Sequence, residues 1–91
     1  MLLGDIIARL QEEVVASETL FSLGDLALTA RIVTRAAESN TSAGELAAQA
    51  VRRFADGASD DEWVTLLSRI SRADDPGRTF LRLVLSRAVP A

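Results

Sequence analysis

The sequence predicts an all-α fold: a compact bundle-like or orthogonal array of four to five short helices, with the second helix central. Three observations carry this. Apolar residues recur at helical spacing along the chain, as at Leu3, Ile7, Leu10 and Val14, and no run alternates with period two. Serine or aspartate repeatedly stands just ahead of an apolar run with an acid three positions on, which marks a capped helix start. Aromatic residues make up only 4% of the chain, so the core has to be built from Leu, Ile, Val and Ala, which suits closely packed helices. The 91 residues are expected to form a single helical domain, 1–91.

The first helix is expected over 2–16, with Leu3, Ile6, Ile7, Leu10 and Val14 as its apolar stripe and Arg9 placed to meet Glu12 and Glu13. "SETLFS" at 17–22 reads as the connection. The second helix is expected from Ser22 as N-cap, with Asp25 at N3 and a Phe21–Leu26 staple, running to about Glu38, where "ESNTS" stops it. Leu23, Leu26, Ala27, Ala30, Val33 and Ala37 form its larger apolar side, while Leu28, Ile32 and Ala36 point elsewhere. A helix apolar on two sides wants cover on both.

The third helix starts at Ser42 with Glu45 at N3, a capping box, and carries Leu46, Ala47, Ala50, Val51 and Phe54 inward. Gly57 is its expected left-handed C-cap. The fourth starts at Ser59 with Glu62 at N3 and Asp60 and Asp61 complementing the helix dipole; Trp63, Leu66, Leu67 and Ile70 form its stripe. The fifth is signalled by Asp75 as N-cap and Pro76 at N1, carries Phe80, Leu81, Val84, Leu85 and Ala88, and ends at Pro90.

"LGDIIA", "LGDLAL" and "AGELAA" place glycines at 4, 24 and 44, a spacing of twenty residues. The expected meaning is shared helix-start chemistry, with Gly24 and Gly44 at N2 and the acids at N3; the alternative is duplication of a one-helix unit.

Composition narrows the function classes. The chain has no cysteine and no histidine, which removes thiol chemistry, the commonest metal ligand and the commonest general base at neutral pH. No cofactor is expected. All ten basic residues are arginine, as a GC-rich coding bias would give, and the net charge of -3 disfavours nucleic acid and anionic membranes. No apolar run approaches the ~20 residues of a membrane span. The start "MLLGDIIARLQEE" lacks a basic leader segment. A cytoplasmic location is expected.

The densest acidic region holds Asp56, Asp60, Asp61, Glu62, Asp74 and Asp75. Its spacing does not fit a calcium loop, and helix-start chemistry explains it. Paired carboxylates also define the enzyme alternative, a small carboxylate-based hydrolase. "SAGELAAQAV" at 42–51 resembles the first helix of a helix-turn-helix over about ten residues, which implies a DNA-binding regulator as another alternative. The pattern departs where Val51, Arg52 and Arg53 replace the turn glycine, and three acids open the following helix. Arg31/Arg35 and Arg78/Arg82 stand at helical spacing, where they can clamp a phosphate or an acidic partner.

The leading expectation is a non-enzymatic helical interaction module that self-associates as a homodimer. Its candidate interface is Leu20, Phe21, Leu28, Ile32 and Trp63, with the side through Leu26, Ala30, Val33 and Ala37 turned into the chain's own core. Ser42→Ala and Ser59→Ala are each expected to lower unfolding free energy by ~0.5–2 kcal/mol through loss of the N-cap bond, read from denaturant midpoints. Unchanged midpoints for both would misplace these helix starts.

Overall fold

The computed structural model describes residues 3–89. Among them the chain forms six helices and no strand: α1 Leu3–Leu10, α2 Glu13–Ser22, α3 Leu26–Glu38, α4 Ala43–Gly57, α5 Asp60–Ile70 and α6 Pro76–Ala88. Leu2 and Pro90, the expected first residue and final stop, lie outside the described residues. The Cα radius of gyration is 12.2 Å, close to the ~12 Å of a compact chain of this length.

The expected first helix is in fact two. A straight helix cannot bury both Leu10 and Ala16, because six residues at about 100° each place them about 120° apart. The break at Gln11 and extended Glu12 re-aims the chain, so that Ile6 and Leu10 of α1 and Ala16 and Leu20 of α2 all reach the core. No proline or glycine writes this break. It is held from outside, by Arg52 Nη1 of α4 donating to the Gln11 carbonyl at 3.0 Å. "SETLFS" is therefore helical, and Val14 is 67% exposed rather than part of a buried stripe.

The next helix starts later than Ser22. Asp25 is the N-cap of α3 and accepts from the Leu28 amide at 3.0 Å. Gly24, with φ +71°, supplies the left-handed turn ahead of it. The expected staple is absent, since Phe21 and Leu26 are both exposed. At the other end Asn40, with φ 59°, is left-handed. The Thr41 amide reaches Ala36 O at 2.9 Å and the Asn40 amide reaches Ala37 O at 3.2 Å, the Schellman pattern, so "ESNTS" stops the helix as expected.

α3 is turned the other way round from expectation. Leu28, Ile32 and Ala36 are buried, while Leu26, Ala30, Val33 and Ala37 face out. The two sides lie about 130° apart round the helix. The two sides carry equal apolar bulk, and contact with α4 and α6 decides which one is buried.

The centre of the fold is not α3 but the group α2, α4 and α6, which pack on one another; α4 also touches α1 and α3, and α6 touches α1, α3 and α5. Phe80, Leu81 and Leu85 of α6, Leu20 of α2 and Val51, Ala47 and Ala48 of α4 are fully buried. No polar or charged residue among the described ones is buried.

Gly44 explains the α2–α4 contact. It is buried, and a Cβ there would stand 2.8 Å from the Glu13 carbonyl oxygen and 2.9 Å from Ser17 Cβ. The two N-termini thus meet with no side chain between them. Ser42, the N-cap of α4, accepts from the Glu45 amide and donates to the Glu13 carboxylate. Glu45 does not complete the expected box; its carboxylate takes Gln49 and Arg52 instead. Ser59 and Glu62 do form a full capping box on α5, and Asp75 with Pro76 starts α6 as expected. Gly57 is the last residue of α4 and Ala58 follows in extended conformation, so the expected left-handed C-cap is not formed there.

The three equally spaced glycines therefore do three different things. Gly4 has open space beside it, Gly24 makes a left-handed turn, and Gly44 is a contact point between helices. Gly44 is the second residue of α4 and Gly4 the second described residue of α1, each followed by an acid, whereas Gly24 lies ahead of α3. Gly44→Ala should cost ~1–3 kcal/mol by forcing α2 and α4 apart. Gly4→Ala, with nothing within 4 Å of the added carbon, should instead gain ~0.4–1 kcal/mol. Thermal melts of the two variants, side by side, check this contrast.

Candidate functional site

The expected interface residues do not come together on one surface. Leu20, Leu28 and Ile32 each have 0% exposure and belong to the chain's own core. Phe21 alone of the five is freely exposed, at 59%. Trp63 is half-buried against Phe54, their rings T-shaped with centroids 4.9 Å apart. Phe54 also meets Phe80 at 6.0 Å, and Arg87 lies over its face at 5.5 Å from the centroid. Trp63 is thus an anchor tying α5 to α4, which its place in the first turn of α5 allows.

The surface left without cover is the outer side of α3. Leu26 is 85% exposed and Val33 is 43% exposed. Ala30 and Ala37 complete a stripe at steps of four, three and four. No charged residue interrupts it: Arg31, Arg35 and Glu38 project about 100° or more away from its mean direction. A second, shorter apolar strip runs along α2 through Val14 and Phe21, but Glu18 sits between them. Val64 and Leu67 are the exposed aliphatic residues of α5.

The acidic residues are spread over helix starts. Asp60, Asp61 and Glu62 occupy the first turn of α5 and Asp75 caps α6. Among the described residues no three of the acidic side chains converge as a metal ion requires. Glu62 completes the Ser59 box with one oxygen and pairs with Arg87 through the other. Asp75 holds the Arg78 amide at 3.1 Å and the Arg78 guanidinium at 3.5 Å.

The arginine pairs are separated in role. Arg82 donates to the Leu23 carbonyl at 2.9 Å, which ties α6 to the turn before α3. Arg78 is engaged with Asp75. Arg31 and Arg35 make no ion pair among the described residues, although Glu38 stands three positions beyond Arg35. The Nε of Arg31 is buried without a hydrogen-bond partner. The helix-turn-helix resemblance stops at α4, which runs unbroken through Val51, Arg52 and Arg53 to Gly57.

A groove of about 310 Å³ lies between α3, α4 and the end of α6. Leu46, Ala50, Phe54, Val84 and Leu85 contribute apolar wall, and Arg35, Arg53 and Arg87 stand around it. A second hollow on the far side of Val89 is lined by Arg31, Arg35, Thr34 and Glu38 with Ala30. The groove has no direct sign in the sequence, because its walls come from three separate helices. No protein-family model, curated protein or solved structure matches the chain.

Mg²⁺ or Ca²⁺ at millimolar concentration is expected to leave the melting temperature unchanged, because no three acidic side chains converge among the described residues. A dose-dependent rise of several degrees would mean that a cation binds the folded state.

Proposed function

We propose that the protein is a non-enzymatic helical interaction module that self-associates through the outer side of α3. The observation that carries the reading is the uninterrupted apolar stripe Leu26, Ala30, Val33 and Ala37, with Leu26 85% exposed. Its sequence suits a two-fold antiparallel pair. Matching Leu26 of one copy with Ala37 of the other also matches Ala30 with Val33, so each large residue meets a small one, twice over by symmetry. The small residues let the two helices approach closely, and the chain's own core on the other side of α3 holds the stripe rigid.

The alternatives gain less support. A DNA-binding regulator would present the first turn of its recognition helix to the groove. Here the first turn of α5 carries Asp60, Asp61 and Glu62, which phosphate repels. A carboxylate-based enzyme needs two acids facing one cleft. Asp56, Asp60 and Asp61 are exposed, and Glu62 is engaged by Ser59 and Arg87.

The test separates the two sides of α3. At ~100 μM the wild type should scatter light as a dimer, and Val33→Glu should stay folded and become monomeric. Ile32→Glu should unfold, because it places an unpaired charge at a site with 0% exposure. A monomeric wild type, or a folded Val33→Glu that remains dimeric, contradicts the reading.

A further inference from the structure

We infer that the groove between α3, α4 and α6 is a binding site for a small amphiphilic carboxylate, an aliphatic acid whose tail lies on the apolar wall and whose head meets Arg35. Three observations converge on this class. The first is charge. The chain has a net charge of -3, with 13 acids against 10 arginines. The groove reverses that balance: Arg35, Arg53 and Arg87 line it, and among the described residues no carboxylate does. Arg87 is committed to Glu62, but Arg35 and Arg53 make no ion pair or hydrogen bond among the described residues.

The second is the wall. Leu46, Ala50 and Phe54 of α4 face Val84 and Leu85 of α6. Val84 and Leu85 are buried core residues, so the accessible apolar surface of the groove comes from half-buried Leu46, Ala50 and Phe54. A purely polar anion would leave that wall wet, and a purely apolar molecule would leave the guanidinium groups unmatched. A ligand with one acidic end and an aliphatic body satisfies both. The volume of about 310 Å³ stands at the small end of ligand sites, which run from about 300 to 1,000 Å³, and this favours a small molecule over a partner helix.

The third is where Arg35 stands. It lines both this groove and the hollow past Val89, at the junction of α3 with the end of α6. Arg35 projects about 170° from the mean direction of the α3 stripe, so ligand binding and self-association use opposite sides of one helix.

The experiment is a titration of isotope-labelled protein with octanoate, followed by amide shifts and calorimetry, on the wild type and on the Val33→Glu variant. The second protein keeps failure of this site distinct from failure of the self-association reading. Saturable one-to-one binding is expected at millimolar ligand or below, in both proteins. Shifts should be confined to the second half of α3, the middle of α4 and the end of α6. Octanol and octylammonium should bind at least about tenfold more weakly, and Arg35→Gln should lose about tenfold in affinity, the loss of one charged hydrogen bond. Ala50→Trp, which fills the wall, should block binding while the fold, read by circular dichroism, persists. If Ala50→Trp does not fold, Ala50→Leu replaces it with the same expectation. Non-saturating shifts spread over the whole chain, octanol binding as tightly as octanoate, or an undiminished Arg35→Gln would each overturn the assignment.

Discussion

The fold depends on the close approach of α2 and α4 at Gly44. A backbone carbonyl 2.8 Å from where a Cβ would stand leaves no room for any other residue. Ala16 of α2 and Ala47 and Ala48 of α4 are small and have 0% exposure, which suits that approach. Phe80, Leu81 and Leu85 of α6 pack into the same core. The Ser42 hydroxyl fastens the same junction by serving Glu45 in its own helix and Glu13 in the neighbour. The break between α1 and α2 follows from it too. Glu13 has to start a new helix where Gly44 can receive it, and Arg52 of α4 holds the Gln11 carbonyl that the break releases.

With α2, α4 and α6 at the centre, α3 becomes a lid and not a hub. A lid helix buries one side, and α3 buries Leu28, Ile32 and Ala36. Its remaining apolar residues gain nothing from this chain. Their exposure is a consequence of the central contact, and it is why the proposed self-association surface lies where it does. The same lid position forms the groove, because α3 meets α4 and the end of α6 without filling the corner between them.

Much of this architecture was legible in the sequence where the signal is local. Ser42, Ser59, Asp75 with Pro76, and the "ESNTS" stop all act within one turn of helix, and each stands where local chemistry puts it. What was not legible depends on neighbours far along the chain. The break at Gln11 needs Arg52, forty-one positions away. The N-cap at Asp25 in place of Ser22 depends on Gly24 taking a left-handed turn that Arg82 of α6 supports through the Leu23 carbonyl. The facing of α3 was not legible because Leu28, Ile32 and Ala36 carry as many side-chain carbons as Leu26, Ala30, Val33 and Ala37, and only contact with α4 and α6 decides which side turns in. The candidate interface inherited that inversion: Leu20, Leu28 and Ile32 are core, and the free surface is the stripe assigned to the inside. Trp63 was visible as an anchor but not as Phe54's partner, which only the packing of α5 on α4 decides.

The inner side of α3 is closed by its own chain, and the proposal closes its outer side with a second copy. The chain has no cysteine, so single thiols introduced along α3 report each side directly. Their reaction with a colorimetric thiol reagent is measured at low and at high protein concentration. Leu28→Cys and Ile32→Cys should be protected at every concentration. Leu26→Cys and Val33→Cys should react freely when dilute and become protected as concentration rises. Equal reactivity on the two sides, or thiols at Leu26 and Val33 that stay equally reactive at all concentrations, would contradict it.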